Sequence, residues 1–120
     1  MRKALKIDAY SDVRGEIFIN KIKGVEFIVS FTKAGVYRGG DYHASKQYAI
    51  ILKGKFEITL RQNNKEAVKK YGPNELIVVP ANTPHLFKAL TDVLSIEWKA
   101  GAGKPRYYQP YRKIINQDLE

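Results

Sequence analysis

A chain of 120 residues, 44% of them hydrophobic, suffices for one domain that buries roughly two thirds of its unfolded surface. It has no cysteine, which excludes disulfides and thiolate metal sites and gives no sign of an oxidising compartment. Lys and Arg number 21 against 12 Asp and Glu, a formal +9, so an anionic partner is favoured, but the dispersed charge lacks the basic stripe or reading motif of a nucleic-acid binder.

The amino terminus, Met1 to Lys6, starts with charge and runs into Ile7-Asp8-Ala9 rather than an apolar stretch with a cleavage site. Neither a signal peptide nor a transmembrane span is expected there, and a soluble cytoplasmic protein with no membrane partner is the expectation. Strand-like runs rich in Ile, Val, Phe and Tyr then follow: Ile17–Ile22, Val25–Thr32, Gln47–Lys53, Phe56–Gln62, Glu75–Val79, His85–Leu90 and Val93–Lys99. Between them, Lys53-Gly54 reads as a tight hairpin, Gln62 to Lys65 as a longer one, and Gly72-Pro73-Asn74 as a turn that cannot continue a central strand.

Phe56, Ile58 and Leu60 alternate with Glu57, Thr59 and Arg61, a period of two that excludes a helix. Trp98, in an apolar strand, reads as core. Only Ile114–Leu119 could make a short terminal helix. Without repeats, linkers or low-complexity tracts, the expectation is a single domain over residues 1–120. Its class is all-β, a double-sheet jelly roll whose mouth is the natural ligand site.

Two histidines are present, each in a polar segment beside an apolar strand. Imidazole titrates nearest neutrality, so two that converge on one cavity would suit proton transfer or metal ligation. Asp41 and His43 are two apart and would project to one face of an extended strand, with Gln47 on the same parity if the strand runs on without a bulge. His85 follows Pro84 and opens the next apolar run, from where a folded-over sheet could bring it opposite.

Gly39 to Gly54 and Gly72 to His85 resemble the two motifs of the cupin superfamily, G-x5-H-x-H-x3,4-E-x6-G and G-x5-P-x-G-x2-H-x3-N. Asp41 stands where the first motif has its first histidine, His43 at the second, Gln47 at the glutamate and Gly54 at the closing glycine. In the second motif Asn82 replaces the glycine, His85 matches the histidine, and Gly72 to Pro80 is two residues longer than the pattern.

A narrower resemblance covers nearly the whole chain. Asp12-Val13-Arg14-Gly15, Ala34 through His43 and the tail Tyr107-Tyr108-Gln109-Pro110 are similar to segments of dTDP-4-dehydrorhamnose 3,5-epimerases and dTDP-4-oxo-6-deoxyglucose 3,4-ketoisomerases. That resemblance implies metal-independent removal of a proton α to the ketone of a nucleotide-linked sugar, with no cofactor. It places the family's base histidine at Asp41. His43, which matches the second histidine of the ketoisomerase pattern, is one option for the base, with Asp41 fixing the local charge, and His85 would bind the oxyanion or complete a proton relay.

Arg38 and Arg14 would then meet diphosphate or sugar oxygens, though Arg38 could equally sit in a surface salt bridge. Gln47 would hydrogen-bond substrate or satisfy a neighbour. Tyr107 and Tyr108 would stack on the nucleobase or donate a proton, or else pack an outer face or a dimer interface. Two other readings stay open: a metal cupin ligating a divalent transition metal through Asp41, His43, Gln47 and His85, and a non-catalytic carbohydrate-binding cupin. A homodimer is expected, with Leu5–Ala9 and Ile17–Ile22 as segments that could exchange between protomers.

Overall fold

The computed structural model describes residues 8–101 and 104–119. Eleven strands and one helix follow in the order β1 (Asp8–Asp12), β2 (Gly15–Ile22), β3 (Val25–Thr32), β4 (Tyr37–Tyr42), β5 (Gln47–Lys53), β6 (Phe56–Gln62), β7 (Lys65–Tyr71), β8 (Leu76–Val79), β9 (His85–Ala89), β10 (Val93–Lys99), β11 (Arg106–Tyr107) and α1 (Gln109–Leu119). One sheet has the order β1-β2-β3-β10-β5-β8 and the other β11-β4-β9-β6-β7. Every recorded pairing is antiparallel, and this is the expected double-sheet jelly roll with a short C-terminal helix.

Turn chemistry explains the hairpins and corrects two expectations. Gln62 pairs with Lys65, so Asn63-Asn64 is a two-residue turn rather than a longer loop; both asparagines have positive φ, at 50° and 61°, as the twist of a primed turn demands. Lys53-Gly54 is not a hairpin at all, because β5 and β6 belong to different sheets. Gly54, at φ 91°, turns the corner between them, and a Cβ there would lie 2.1 Å from the Asp92 carbonyl oxygen. β7 has no apolar alternation to mark it, being an almost wholly exposed edge strand held by its ladder to β6.

Between the sheets Ile51, Phe56, Ile58, Ile77, Phe87 and Val93 form the centre of the apolar core. A second cluster lies outside the five-stranded sheet, where Tyr111 and Ile115, four apart on α1, cover Leu86. The helix starts five residues before the expected Ile114: Pro110 occupies its second position, where a missing N–H costs nothing. β1 and β2 pair with each other inside this chain, and β2 pairs with β3. Of the segment Leu5–Ala9, the part before Asp8 lies outside the described residues.

Trp98 is not core. It stands half-buried on the outer face of the six-stranded sheet, stacked on Tyr48 with centroids 5.7 Å apart and against Phe27 at 6.1 Å.

Candidate functional site

The site begins with a bulge. Asp41 pairs with His85 and Arg38 with Phe87, yet Arg38 and Asp41 are three apart and would face opposite ways on a regular strand. Gly39 and Gly40, at φ 96° and 72°, insert the extra residue that turns both side chains inward. Gly39 also gives His85 its room: a Cβ there would lie 3.0 Å from the His85 carbonyl oxygen and 3.2 Å from its ring.

β4 ends at Tyr42, and His43 lies in the connection to β5. Gln47 therefore does not share a wall with Asp41, as an unbroken strand would have it. It opens β5 in the opposite sheet and faces Asp41 across the interior.

A cavity of about 260 Å³ lies between these walls, lined by Asp41, His85, Gln47 and Glu97, by the cationic Arg14, Arg38 and Lys99, and by Ser30 and Ser95. Ile28, Gln47, Glu97 and Lys99 also border an outer chamber of about 320 Å³ that carries Lys21. His43 lines neither. It is buried behind Gln47 and borders a separate cleft with Tyr42, Asn82, Lys104 and Arg106.

Two polar chains hold the rings. His85 Nδ1 meets the Thr83 carbonyl oxygen at 3.0 Å, and its Nε2 lies 3.0 Å from Asp41 Oδ1. A carbonyl oxygen only accepts, so Nδ1 keeps its proton and Nε2 is the exchangeable position. His43 Nδ1 is fixed in the same way on the Ser45 carbonyl oxygen, at 2.8 Å. Its Nε2 is 2.9 Å from Gln47 Oε1, and Gln47 Nε2 donates to Glu97 Oε2 at 2.6 Å. The two rings are 5.5 Å apart in an edge-to-face arrangement.

Burial pushes the Asp41 carboxyl up, but the His85 hydrogen bond and the charges of His85, His43 and Lys99 outweigh it and leave the group below its ordinary value. At Glu97 burial wins over the opposing cations, and the carboxyl is raised. Arg38 donates through Nε to Thr32 Oγ1 at 2.6 Å and through Nη2 to the Phe31 carbonyl oxygen at 3.0 Å, so its guanidinium is fixed at the cavity wall. Arg14 is clamped on Asp12, with Nη2 2.7 Å from Oδ2.

Tyr107 and Tyr108 are not brought to the cavity. Tyr107 is exposed beneath the Arg112 guanidinium, 4.5 Å from its ring, and Tyr108 packs on Tyr111 at 4.8 Å.

The ligand set Asp41, His43, Gln47 and His85 does not converge on one point. Asp41 is engaged by His85, and Gln47 is spent bridging His43 to Glu97. Among the described residues no group of three or more His, Asp or Glu side chains is placed to hold a metal ion. Each of the four side chains is instead engaged by a neighbouring group.

Glu97, Lys99 and Ser95 escaped the sequence reading. In Val93–Lys99 the polar residues and Leu94, Ile96 and Trp98 alternate, and by the usual rule the apolar parity is the buried one. Here the sheet is apolar on its outer face, and the polar stripe points inward.

No protein-family model matches the chain, and no curated protein matches it by sequence. Solved structures do match. A deletion mutant of Bacillus subtilis oxalate decarboxylase aligns at 14% identity with a TM-score of 0.75, over 84% of this chain and 30% of that one. A tryptophan-to-tyrosine mutant of the same decarboxylase aligns at 15% and 0.71, over 78% and 27%. CapF, solved with the inhibitor 3-isopropenyl-tropolone, aligns at 23% and 0.68, over 81% and 31%. The chain thus spans about a quarter to a third of the proteins it matches, and at these identities the likeness establishes the cupin jelly-roll fold alone.

Proposed function

We propose that this chain is a nucleotide-sugar epimerase or isomerase that removes a proton α to the ketone of a dTDP-4-oxo-6-deoxy sugar without a metal. One observation carries the reading: the His85–Asp41 pair, 3.0 Å apart, opens on a cavity whose other walls hold fixed cations. His85 Nδ1–H is tied to Thr83 and Nε2–H is donated to Asp41 Oδ1. Within the pair the Asp41 carboxylate, through its other oxygen, therefore accepts the proton as the C–H bond breaks, with His85 as the proton donor beside it. The electron pair moves into a carbon–carbon double bond and leaves charge on the former ketone oxygen. Arg38 and Lys99 are the groups that would stabilise that oxygen, and His85 Nε2–H would hold the Asp41 carboxyl in place.

The His85–Asp41 pair, rather than His43, therefore carries the proton transfer in this proposal, because His43 does not border the cavity. The inner chamber takes the sugar, and the contiguous outer chamber, with Lys21 and Lys99, takes the anionic remainder. Together they reach the roughly 300–1,000 Å³ common for ligand pockets. Among the described residues no helix is long and apolar enough to cross a membrane, and a cytoplasmic site of action for such a sugar is part of the proposal.

Incubation with the dTDP-4-oxo sugar in heavy water, followed by NMR at C3 and C5, tests it. The expected result is solvent label on the sugar, with His85→Gln lowering its rate about 10²- to 10⁴-fold. Bound sugar that never acquires label would reject the enzyme in favour of a carbohydrate-binding protein. Stoichiometric transition metal in untagged protein, lost on His43→Ala, would overturn the metal-free reading.

A homodimer through the outer face of the six-stranded sheet accompanies this proposal. Outward positions on β3, β10, β5 and β8 are uncharged, although the chain carries +9, and Phe31, Leu52, Leu76 and Val78 are each at least 40% exposed there. Light scattering should give the mass of two chains, and Ile96→Glu should give one.

A further inference from the structure

One backbone carbonyl oxygen and one carboxamide limit how many protons the part-buried chain from Ser45 to Glu97 can hold. His43 Nδ1 must donate to the Ser45 oxygen. If Gln47 presents its oxygen to His43 and its NH₂ to Glu97, then His43 Nε2 must also carry a proton, and Glu97 accepts through Oε2, best as the carboxylate. If the carboxamide turns over, its NH₂ needs a bare Nε2, and its oxygen needs a protonated Glu97. Either orientation satisfies every group with one proton shared between His43 and Glu97. With no proton on either group two acceptors face each other beside Gln47, and with two the pair carries an uncompensated positive charge.

We propose that His43, Gln47 and Glu97 are a one-proton switch, resting as imidazolium and carboxylate, through which Glu97 exchanges protons with the cavity while His43 exchanges them with the outer cleft. Glu97 borders both chambers and His43 borders the cleft, so Gln47 is the link between two compartments. When the cavity gives a proton to Glu97, the carboxamide rotates and His43 Nε2 releases its proton to the cleft. One proton enters and one leaves, and the pair's net charge stays at zero. That constancy matters in a buried site, where an uncompensated charge is costly.

Other charges face the switch. Asp41 and Arg38 from β4, His85 from β9 and Lys99 from β10 all act on Glu97, and the His85 ring abuts His43. Burial raises the Glu97 carboxyl, which makes it a better proton acceptor than an exposed glutamate. Glu97 is thereby a second acid–base group beside the His85–Asp41 pair. The switch deepens the enzymatic reading without depending on turnover.

The test uses the whole protein without any sugar, labelled at histidine and glutamine, titrated by NMR. Glu97→Gln should lower the His43 midpoint by about one pH unit or more, because the neutral side chain no longer holds the imidazolium. In a Gln47→Leu background the same substitution should move it by less than about a third of that. An unchanged midpoint in Glu97→Gln overturns the switch, and so does a shift that persists at full size without Gln47, which would mean direct charge coupling. In the unaltered protein the Gln47 side-chain amide signals should move over the same pH interval as His43. A carboxamide that stays fixed there overturns the proposal even if a variant fails to fold.

Discussion

The interior of the sandwich has an apolar end and a polar end, and the same strands build both. Along β5 the inward positions run from Gln47 through Ala49 to Ile51, and along β9 from His85 through Phe87 to Ala89. β10 runs the other way, from Val93 through Ser95 to Glu97. Antiparallel pairing lines up the matching ends, so the apolar residues meet at one end and the titratable ones at the other. The apolar end fixes where the strands stand; the polar end uses that fixed spacing to hold hydrogen bonds that a softer scaffold would blur.

The sharpest way to break this comparison is to damage the apolar end. Ile51 has no exposed surface, and Ile51→Ala removes buried methyl groups that the surrounding core cannot replace. Urea unfolding should show a loss of about 2–5 kcal/mol. Asp41→Asn is its counterpart at the polar end, retaining an oxygen that can accept from His85 Nε2–H while losing the charge. It should cost about 1 kcal/mol or less in stability while slowing deuterium exchange into the sugar. Equal losses of stability from the two substitutions would show that the polar end is structural after all.

How much of this was legible in the residues follows from the same division. β3, β5, β6 and β10 match their sequence runs residue for residue, because apolar alternation and flanking turn residues fix a strand locally. β7 did not show, since an exposed edge strand needs no apolar face. The jelly roll, and His43, Asp41 and His85 as residues of interest, could be read from the motifs; the partition between cavity and cleft could not, because it depends on a bulge at Gly39-Gly40 and on β4 ending before His43. Glu97 was hidden for a general reason. Period two separates the faces of a strand but does not say which is inside, and an apolar outer face inverts the usual guess.

The smallest effect compares the two carboxylates that share the cavity. Asp41 is lowered in the folded state, so the unfolded chain binds its proton more readily, and this contribution to stability is complete above the unfolded value near 3.8 and lost as pH falls through the folded one. Glu97 is raised, so the folded state binds its proton more readily; its contribution is present below the unfolded value of 4.5 and lost as pH rises from there through the folded one. The two slopes have opposite signs. Stability measured against pH should rise less steeply through the acid range in Asp41→Asn, and fall less above it in Glu97→Gln. If both substitutions flatten the same limb, the carboxylates titrate as one coupled group, and the polar end is a single site rather than two arms meeting at a cavity.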